Sequence, residues 1–181
     1  MSDPDIAAFA ETDTPPRVVV VMGPSGAGKT TVGRALAESL GWPWLEGDDY
    51  HPAANVAKMA SGSPLDDADR APWLAALERL VAGILADGGH AVLACSALKR
   101  RYRAAIVPKG APSGAVRFVY LSVSPAVLRE RLEHREHHFM PPSLLPSQLV
   151  ALEPPTGSEL TVDGARPPAE IVRTVRAALG L

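Results

Sequence analysis

A glycine-rich segment near the start of the chain carries the strongest chemical signal in the sequence. Residues 23–30 read GPSGAGKT and satisfy the pattern G-x-x-x-x-G-K-[ST] at every position. The glycines let the backbone curl so that successive N–H groups point at phosphate oxygens, and the helix that follows adds its positive N-terminal end. Lys29 is expected to reach the β- and γ-phosphates of a nucleoside triphosphate, and the Thr30 hydroxyl is expected to ligate Mg²⁺. We predict nucleotide contacts from Gly23, Ser25, Gly26, Ala27, Gly28, Lys29, Thr30 and Thr31.

Three carboxylates, Glu46, Asp48 and Asp49, follow the second predicted strand. Because α/β sheets bind ligands in the crevice at the carboxyl ends of their strands, a carboxylate at this point is expected to face the phosphates. From there it can orient an attacking hydroxyl group and accept its proton. We predict that Asp48 is a catalytic base, and a carboxylate that only stabilises the local turn is the alternative.

The phosphate loop alone does not separate kinases from GTPases or motor ATPases. A second metal-binding signature would be an apolar strand that ends in Asp, but residues 90–95 (HAVLAC) end in Cys95 and are followed by Ser96. The guanine-reading sequence N-K-x-D is also absent from the chain. These features favour a small-molecule kinase. A nucleotide-dependent switch or scaffold remains the alternative from a different class.

The apolar pattern around these residues predicts the elements that position them. Residues 17–22 (RVVVVM) form a continuous β-branched run, which is typical of a strand buried on both faces. Further strands are predicted at residues 42–46, 90–95, 116–121 and 160–162, and helices at residues 32–40, 66–86, 99–107, 124–133 and 168–179. Strands that alternate with helices predict a three-layer α/β/α fold around a five-stranded parallel sheet.

Length and composition limit the class of protein. A chain of 181 residues with 46% hydrophobic and 21% charged residues suits one globular domain. The formal net charge of −2 gives no electrostatic reason to expect nucleic acid or a membrane surface as a partner. The single cysteine excludes an intrachain disulfide and suits the cytoplasm. We predict a flexible tail over residues 1–16 and one domain over residues 17–181.

Several blocks of the sequence resemble the gluconokinase family. Two of them, GDDYHP at residues 47–52 and KMASGSPL at residues 58–65, are quite specific. The other similar blocks are DRAPWL at residues 69–74, CSALKRRYR at residues 95–103 and REHHFM at residues 135–140. The resemblance extends from the phosphate loop to about Glu159 and so covers most of the chain.

This resemblance implies a nucleoside-monophosphate-kinase-like fold with a core, a substrate-binding helical part over about residues 47–74 and a lid over about residues 134–146. It also implies transfer of the γ-phosphate of ATP to D-gluconate, giving 6-phospho-D-gluconate, with Mg²⁺ and often in a homodimer. A kinase for another small hydroxy acid, such as shikimate, remains the alternative.

Gluconate carries one carboxylate and several hydroxyl groups, so its site needs cations and polar groups. Four cations lie near the predicted strand ends: Lys58, Arg70, Lys99 and Arg103. Arg70 has a planar guanidinium group, which can bind a carboxylate through two hydrogen bonds. The alternative for these four cations is that they are exposed on the surface and do not bind substrate. The alternative for His51 is that it is a structural histidine within a turn. We predict substrate contacts from Asp48, His51, Lys58, Arg70, Ser96, Lys99 and Arg103.

Arg131 and Arg135 lie four residues apart, on one face of the helix that leads into the predicted lid. Arginines at this position can close on the transferring phosphoryl group and stabilise its charge. We predict that Arg135 is catalytic and that Arg131 binds the nucleotide. The nearby His134, His137 and His138 fit a lid surface better than a zinc site, because no cysteine lies beside them.

Overall fold

The computed structural model describes residues 14–134 and 141–181. Its strands are β1 (Val18–Met22), β2 (Trp44–Glu46), β3 (Ala91–Ala94), β4 (Val116–Ser122) and β5 (Leu160–Asp163). Its helices are α1 (Lys29–Leu40), α2 (Ala53–Ala60), α3 (Asp67–Ala86), α4 (Arg100–Ile106), α5 (Pro125–Glu133), α6 (Leu145–Ala151) and α7 (Pro168–Leu179). The strands form one parallel sheet in the order β2-β3-β1-β4-β5, which confirms the predicted five-stranded α/β fold.

Strand β1 lies at the centre of the sheet, between β3 and β4, and every one of its residues is fully buried. Its side chains alternate between two hydrophobic cores. Val19 and Val21 pack into the core that contains residues of α1, α5 and α7. Val18 and Val20 pack into the other core, with Trp73 of α3 and residues of α4. The continuous valine run therefore reflects helices on both faces of the sheet.

Two glycines shape the backbone at the carboxyl end of the sheet. Gly28 precedes α1 with a φ of 99°, in the left-handed region that glycine adopts readily. Gly47 begins the 3₁₀ turn Gly47–Tyr50 after β2, and a Cβ atom there would lie 2.4 Å from the carbonyl oxygen of Ala94. Because only glycine permits this approach, the acidic turn lies directly against the end of β3.

Two short helices were not predicted from the sequence. Helix α2 lies between the acidic turn and α3, and α6 follows a 3₁₀ turn at Pro142–Leu144. Both start beside prolines and are too short for apolar periodicity to reveal them. Helix α3, which was predicted, starts with a capping box in which Asp66 and Asp69 bond each other's backbone N–H groups at 2.8 and 2.9 Å. Within the described ranges, no helix is long and apolar enough to cross a membrane.

Candidate active site

Two neighbouring cavities open at the carboxyl end of the sheet, and Asp48 lines both of them. The first, which we call the phosphate cavity, has a volume of about 290 Å³ and is bounded by the phosphate loop. The second, which we call the acceptor cavity, has about 30 Å³ of free volume and lies between the acidic turn, α3 and α6. Asp48 therefore stands at the boundary between a nucleotide-sized space and a second, polar space.

The phosphate cavity is lined by most of the residues that the motif predicts. The side chain of Lys29 folds back over the loop, and its Nζ donates a hydrogen bond of 3.1 Å to the carbonyl oxygen of Pro24. The lining residues from the loop and the start of α1 are Ser25, Gly26, Ala27, Gly28, Lys29, Thr30 and Thr31.

Gly23 is a predicted nucleotide contact that the structure places outside the cavity lining. It does not line the phosphate cavity in the described part of the chain. Its N–H donates instead to the carbonyl oxygen of Ser96 at 3.3 Å, which ties the loop to the end of β3. A Cβ atom at Gly23 would lie 3.1 Å from the Cβ of Ala27, a tight contact, and the φ of 145° is one that glycine adopts more readily than other residues.

Thr30 and Glu46 both line the phosphate cavity and contact each other there. The Thr30 hydroxyl donates to Oε2 of Glu46 at 2.9 Å. Burial raises the pKa of Glu46, and this effect outweighs the opposing hydrogen bond from Thr30 and the charge of Lys29. Hydroxyl and carboxylate oxygens are the donors that Mg²⁺ prefers, and a cation beside Glu46 would offset the cost of burying its charge. The residues present therefore fit the predicted magnesium ion.

Arg131 reaches the phosphate cavity from α5. Its Nη1 donates to the carbonyl oxygens of Gly26 and Ala27 at 3.3 and 3.4 Å, and its Nη2 donates to that of Gly164 at 3.0 Å. The structure thus brings Arg131 to the phosphate loop, as its predicted role requires. Arg135, the predicted catalytic arginine, lies outside the described residues, as do residues 136–140 of the predicted lid.

His51 lies in the acceptor cavity beside Asp48, and its imidazole ring is stacked on the indole of Trp73. The two ring centroids are 4.2 Å apart and the planes differ by 12°. Burial is the main reason why the pKa of His51 is lowered to about 4. The charge of Asp48 raises this pKa in part, and the charge of Arg70 lowers it. His51 is therefore a neutral hydrogen-bonding group at physiological pH.

Arg70 and Ser96 also line the acceptor cavity. The guanidinium of Arg70 donates to the carbonyl oxygens of Leu65 and Asp66, and it lies 5.5 Å from the ring centroid of Tyr102. These contacts hold the guanidinium in place at the cavity wall. Of the predicted substrate residues, the structure brings together Asp48, His51, Arg70 and Ser96.

Lys58 and Lys99, two of the predicted substrate residues, line neither cavity in the described structure. Lys58 is bound to Asp69 at 2.6 Å, and Lys99 is bound to Asp67 at 3.1 Å. The hydrogen bond that Lys58 donates to Asp69 raises the pKa of Lys58, and the one that Lys99 donates to Asp67 raises the pKa of Lys99. Both lysines thus contact carboxylates at the start of α3, and sequence spacing gave no sign of this pairing.

Arg103, also a predicted substrate residue, lines neither cavity in the described structure. Its side chain is 3% exposed, and its Nε donates to Oε1 of Glu159 at 2.6 Å. Its Nη1 donates to the carbonyl oxygens of Ala97, Leu98 and Glu153 at 3.1–3.3 Å. These bonds tie α4 to the segment that precedes it and to the segment between α6 and β5, so Arg103 stabilises the fold and is not available to substrate.

We expect Arg103→Ala to lower the free energy of unfolding by about 3–5 kcal/mol, because it leaves the buried Glu159 carboxylate without its partner. Urea denaturation at neutral pH measures this change. Arg101→Ala is the matched control on the same helix, since the Arg101 side chain is 60% exposed and its ion pair with Asp67 is worth about 1 kcal/mol or less. Equal effects of the two substitutions would contradict the structural role of Arg103.

Two buried amides, Asn55 and Gln148, were missed by sequence reasoning. Oε1 of Gln148 accepts from the backbone N–H of Ser25 at 2.7 Å, and its Nε2 donates to the Ser25 hydroxyl at 3.2 Å. Gln148 also lines the acceptor cavity, so it links that cavity to the phosphate loop. The two are the chain's only asparagine and glutamine, and this scarcity is the one signal that sequence inspection offered.

The structure describes only part of the histidine-rich segment. Within the described ranges, no group of three or more His, Cys, Asp or Glu residues could hold a metal ion. His134 ends α5, and its Nδ1 donates to the carbonyl oxygen of Glu130 at 2.8 Å. His137 and His138 lie outside the described residues.

Comparison with known proteins agrees with this geometry. The family model for an AAA domain matches residues 18–155. A gluconokinase from Gluconobacter oxydans (strain 621H) is 51% identical over 155 residues, which cover 84% of this chain and 85% of that protein. A solved gluconokinase from Sinorhizobium meliloti 1021 has a TM-score of 0.79 at 48% identity, over 91% of this chain and 92% of that chain. An unliganded sugar kinase from Janibacter sp. HTCC2649 has a TM-score of 0.83 at 38% identity, over 92% of this chain and 95% of that chain. The chain belongs to the gluconokinase family of P-loop kinases.

Proposed function

We propose that the protein is an ATP-dependent kinase that phosphorylates D-gluconate to 6-phospho-D-gluconate. The observation that carries this proposal is the position of Asp48, which lines both the phosphate cavity and the acceptor cavity. A protein that only binds and releases a nucleotide has no need for a second polar cavity that shares a carboxylate with the first. The gluconokinases that resemble this chain supply the identity of the acceptor.

The phosphate cavity provides the groups that hold the nucleotide. Backbone N–H groups of the loop bind the phosphates, and Lys29 moves from its contact with Pro24 to the γ-phosphate. Arg131 adds positive charge at the same end of the cavity. Mg²⁺, when bound, would be held by Thr30 with Glu46 beside it, and it would neutralise charge on the β- and γ-phosphates.

The acceptor cavity provides a cation and polar groups for a sugar acid. Arg70 is fixed at the wall by backbone carbonyls, and we propose that it binds the gluconate carboxylate. His51, Ser96 and Gln148 supply hydrogen bonds for the hydroxyl groups. The free volume of about 30 Å³ is only that of a water molecule, so gluconate binding requires the walls of this cavity to move apart.

The transfer step follows from the position of Asp48. The acceptor hydroxyl donates its proton to the Asp48 carboxylate while its oxygen forms a bond to the γ-phosphorus. The bond from that phosphorus to the β–γ bridging oxygen breaks, and ADP carries the electron pair away. Lys29 stabilises the negative charge on the phosphoryl oxygens during transfer.

We propose the same family organisation for the whole chain: one kinase domain over residues 17–181, with an acceptor segment over about residues 47–74 and a lid over about residues 134–146. We also propose a cytoplasmic homodimer. The buried thiol of Cys95 supports a reducing compartment. The homodimer is what the resemblance of the sequence blocks to the gluconokinase family implies. Light scattering on the purified protein tests the oligomeric state.

We expect gluconate to stimulate the formation of ADP from ATP. The value of kcat/KM for gluconate should be on the order of 10² times that for shikimate or other hydroxy acids, because an acceptor that leaves buried polar groups unpaired is rejected. A coupled ADP assay with a panel of acceptors makes the measurement, and protein without acceptor gives the background. Faster turnover of another acid would overturn the choice of gluconate. Tight GTP binding without turnover of any acceptor would favour a switch protein instead.

A further inference from the structure

The environment of His51 restricts which of its ring nitrogens carries the proton. One face of the imidazole is covered by Trp73, and its Nδ1 lies 3.3 Å from Nδ2 of Asn55. Asn55 is 5% exposed, at the first turn of α2. One ring nitrogen, Nδ1, therefore contacts a buried amide. The other ring nitrogen is Nε2, and His51 lines the acceptor cavity.

The orientation of the Asn55 amide follows from a second contact. Nδ2 of Asn55 also lies 2.7 Å from the backbone carbonyl oxygen of Asp69, which can only accept a hydrogen bond. The nitrogen of the amide must therefore be the atom that faces both Asp69 and His51. Its two hydrogens serve these two acceptors, so Nδ1 of His51 accepts and the ring proton resides on Nε2.

We infer that Asn55 is a positioning residue that holds His51 in the Nε2–H tautomer, so that His51 donates a hydrogen bond to the acceptor hydroxyl beside Asp48. The inference rests on the proposed function for the identity of that hydroxyl, but the tautomer itself does not depend on it. Asn55 acts through His51 and lines neither cavity in the described structure.

The consequence is a matched donor and acceptor around one oxygen atom. Asp48 accepts the hydroxyl proton, while the Nε2–H of His51 donates to a lone pair of the same oxygen and orients the other for attack. In the opposite tautomer, Nε2 and Asp48 would both be acceptors, and one hydroxyl hydrogen cannot satisfy both. The charged groups that face His51 are Asp48 and Arg70, and burial keeps the imidazole neutral, which this arrangement requires.

The first test is ¹⁵N NMR of the histidine rings in the intact protein at pH 7.5, without any substrate. We expect His51 to show a protonated Nε2 and an unprotonated Nδ1, with its signals assigned by their loss in His51→Gln. In Asn55→Asp, whose carboxylate only accepts, we expect the proton to move to Nδ1. His90, which packs on Trp42 in another part of the fold, is the internal control and should not change. A protonated Nδ1 in the wild-type protein would overturn the inference.

The second test is kinetic. We expect Asn55→Asp to lower kcat/KM for gluconate by about 10- to 100-fold, and to leave the KM for ATP within about 2-fold of the wild-type value. In His51→Gln, the glutamine side chain can donate a hydrogen bond from its amide whether residue 55 is Asn or Asp. In a His51→Gln background, Asn55→Asp should therefore change kcat/KM by less than about 3-fold. An equal loss in both backgrounds would show a general structural effect and would overturn the inference.

Thermal unfolding separates these outcomes from simple loss of the fold. If Asn55→Asp unfolds at the assay temperature, Asn55→Ala replaces it, and we then expect His51 to populate both tautomers because neither proton position is selected. Retention of a pure Nε2–H tautomer in Asn55→Ala would overturn the inference. Failure of gluconate turnover in the wild-type protein, with the expected NMR result, would instead count against the proposed function alone.

Discussion

Replacing Lys29 with alanine is expected to lower kcat by about 10³-fold, with little change in the free energy of unfolding. Phosphoryl transfer depends on positioned charge around the γ-phosphate, and Lys29 is the loop cation that the motif places there. Its Nζ makes a partly buried hydrogen bond to the carbonyl oxygen of Pro24, a contact worth about 1 kcal/mol. The large effect should therefore fall on catalysis. Steady-state kinetics with ATP and gluconate, together with urea denaturation, measure the two quantities.

Lys109→Ala is the control for the loss of a lysine charge. Lys109 is exposed in the segment between α4 and β4, and it lines neither cavity in the described part of the chain. It should retain wild-type kcat. If Lys29→Ala kept more than about a tenth of the wild-type kcat with a native stability, the phosphate loop would not be the catalytic nucleotide site.

The parts of the site that sequence predicts well are those that depend on local geometry. The phosphate loop is one contiguous segment, and the strand before it and the helix after it have clear apolar patterns, so Lys29 and Thr30 are located from spacing alone. Asp48 is located because the carboxyl ends of parallel strands meet at one edge of the sheet. These predictions required the topology of the fold and no knowledge of individual side-chain contacts.

The contacts that the sequence did not predict join partners that are distant in sequence. Arg103 binds Glu159, which lies 56 positions away, and Lys99 binds Asp67, which lies 32 positions away. A cation near a strand end looks the same in the sequence whether a substrate or a carboxylate of the same chain neutralises it. The same reason hid Gln148, whose contact with Ser25 spans 123 positions. Charge type predicts that a partner exists, but only the packing of α3, α4 and α6 decides which one.

Asp48→Asn is expected to lower kcat by about 10²- to 10⁴-fold while the KM for ATP changes little. The amide has the size of the carboxylate but cannot take the proton of the acceptor hydroxyl, so the loss should fall on the transfer step. Asp48 lines both cavities, whereas the neighbouring Glu46 lines only the phosphate cavity in the described structure. Single-turnover measurement of ATP consumption in the presence of gluconate isolates this step from product release.

Asp49→Asn is the matched control, because Asp49 belongs to the same 3₁₀ turn, is exposed and lines neither cavity in the described structure. It should leave kcat within about 2-fold of the wild-type value if the effect at Asp48 comes from its position and not from the charge of the turn. Phosphoryl transfer can proceed through a loose transition state in which a base contributes little. A loss of less than about 10-fold in Asp48→Asn would therefore assign Asp48 to orienting the hydroxyl, and the proton would leave only after the phosphorus–oxygen bond has formed.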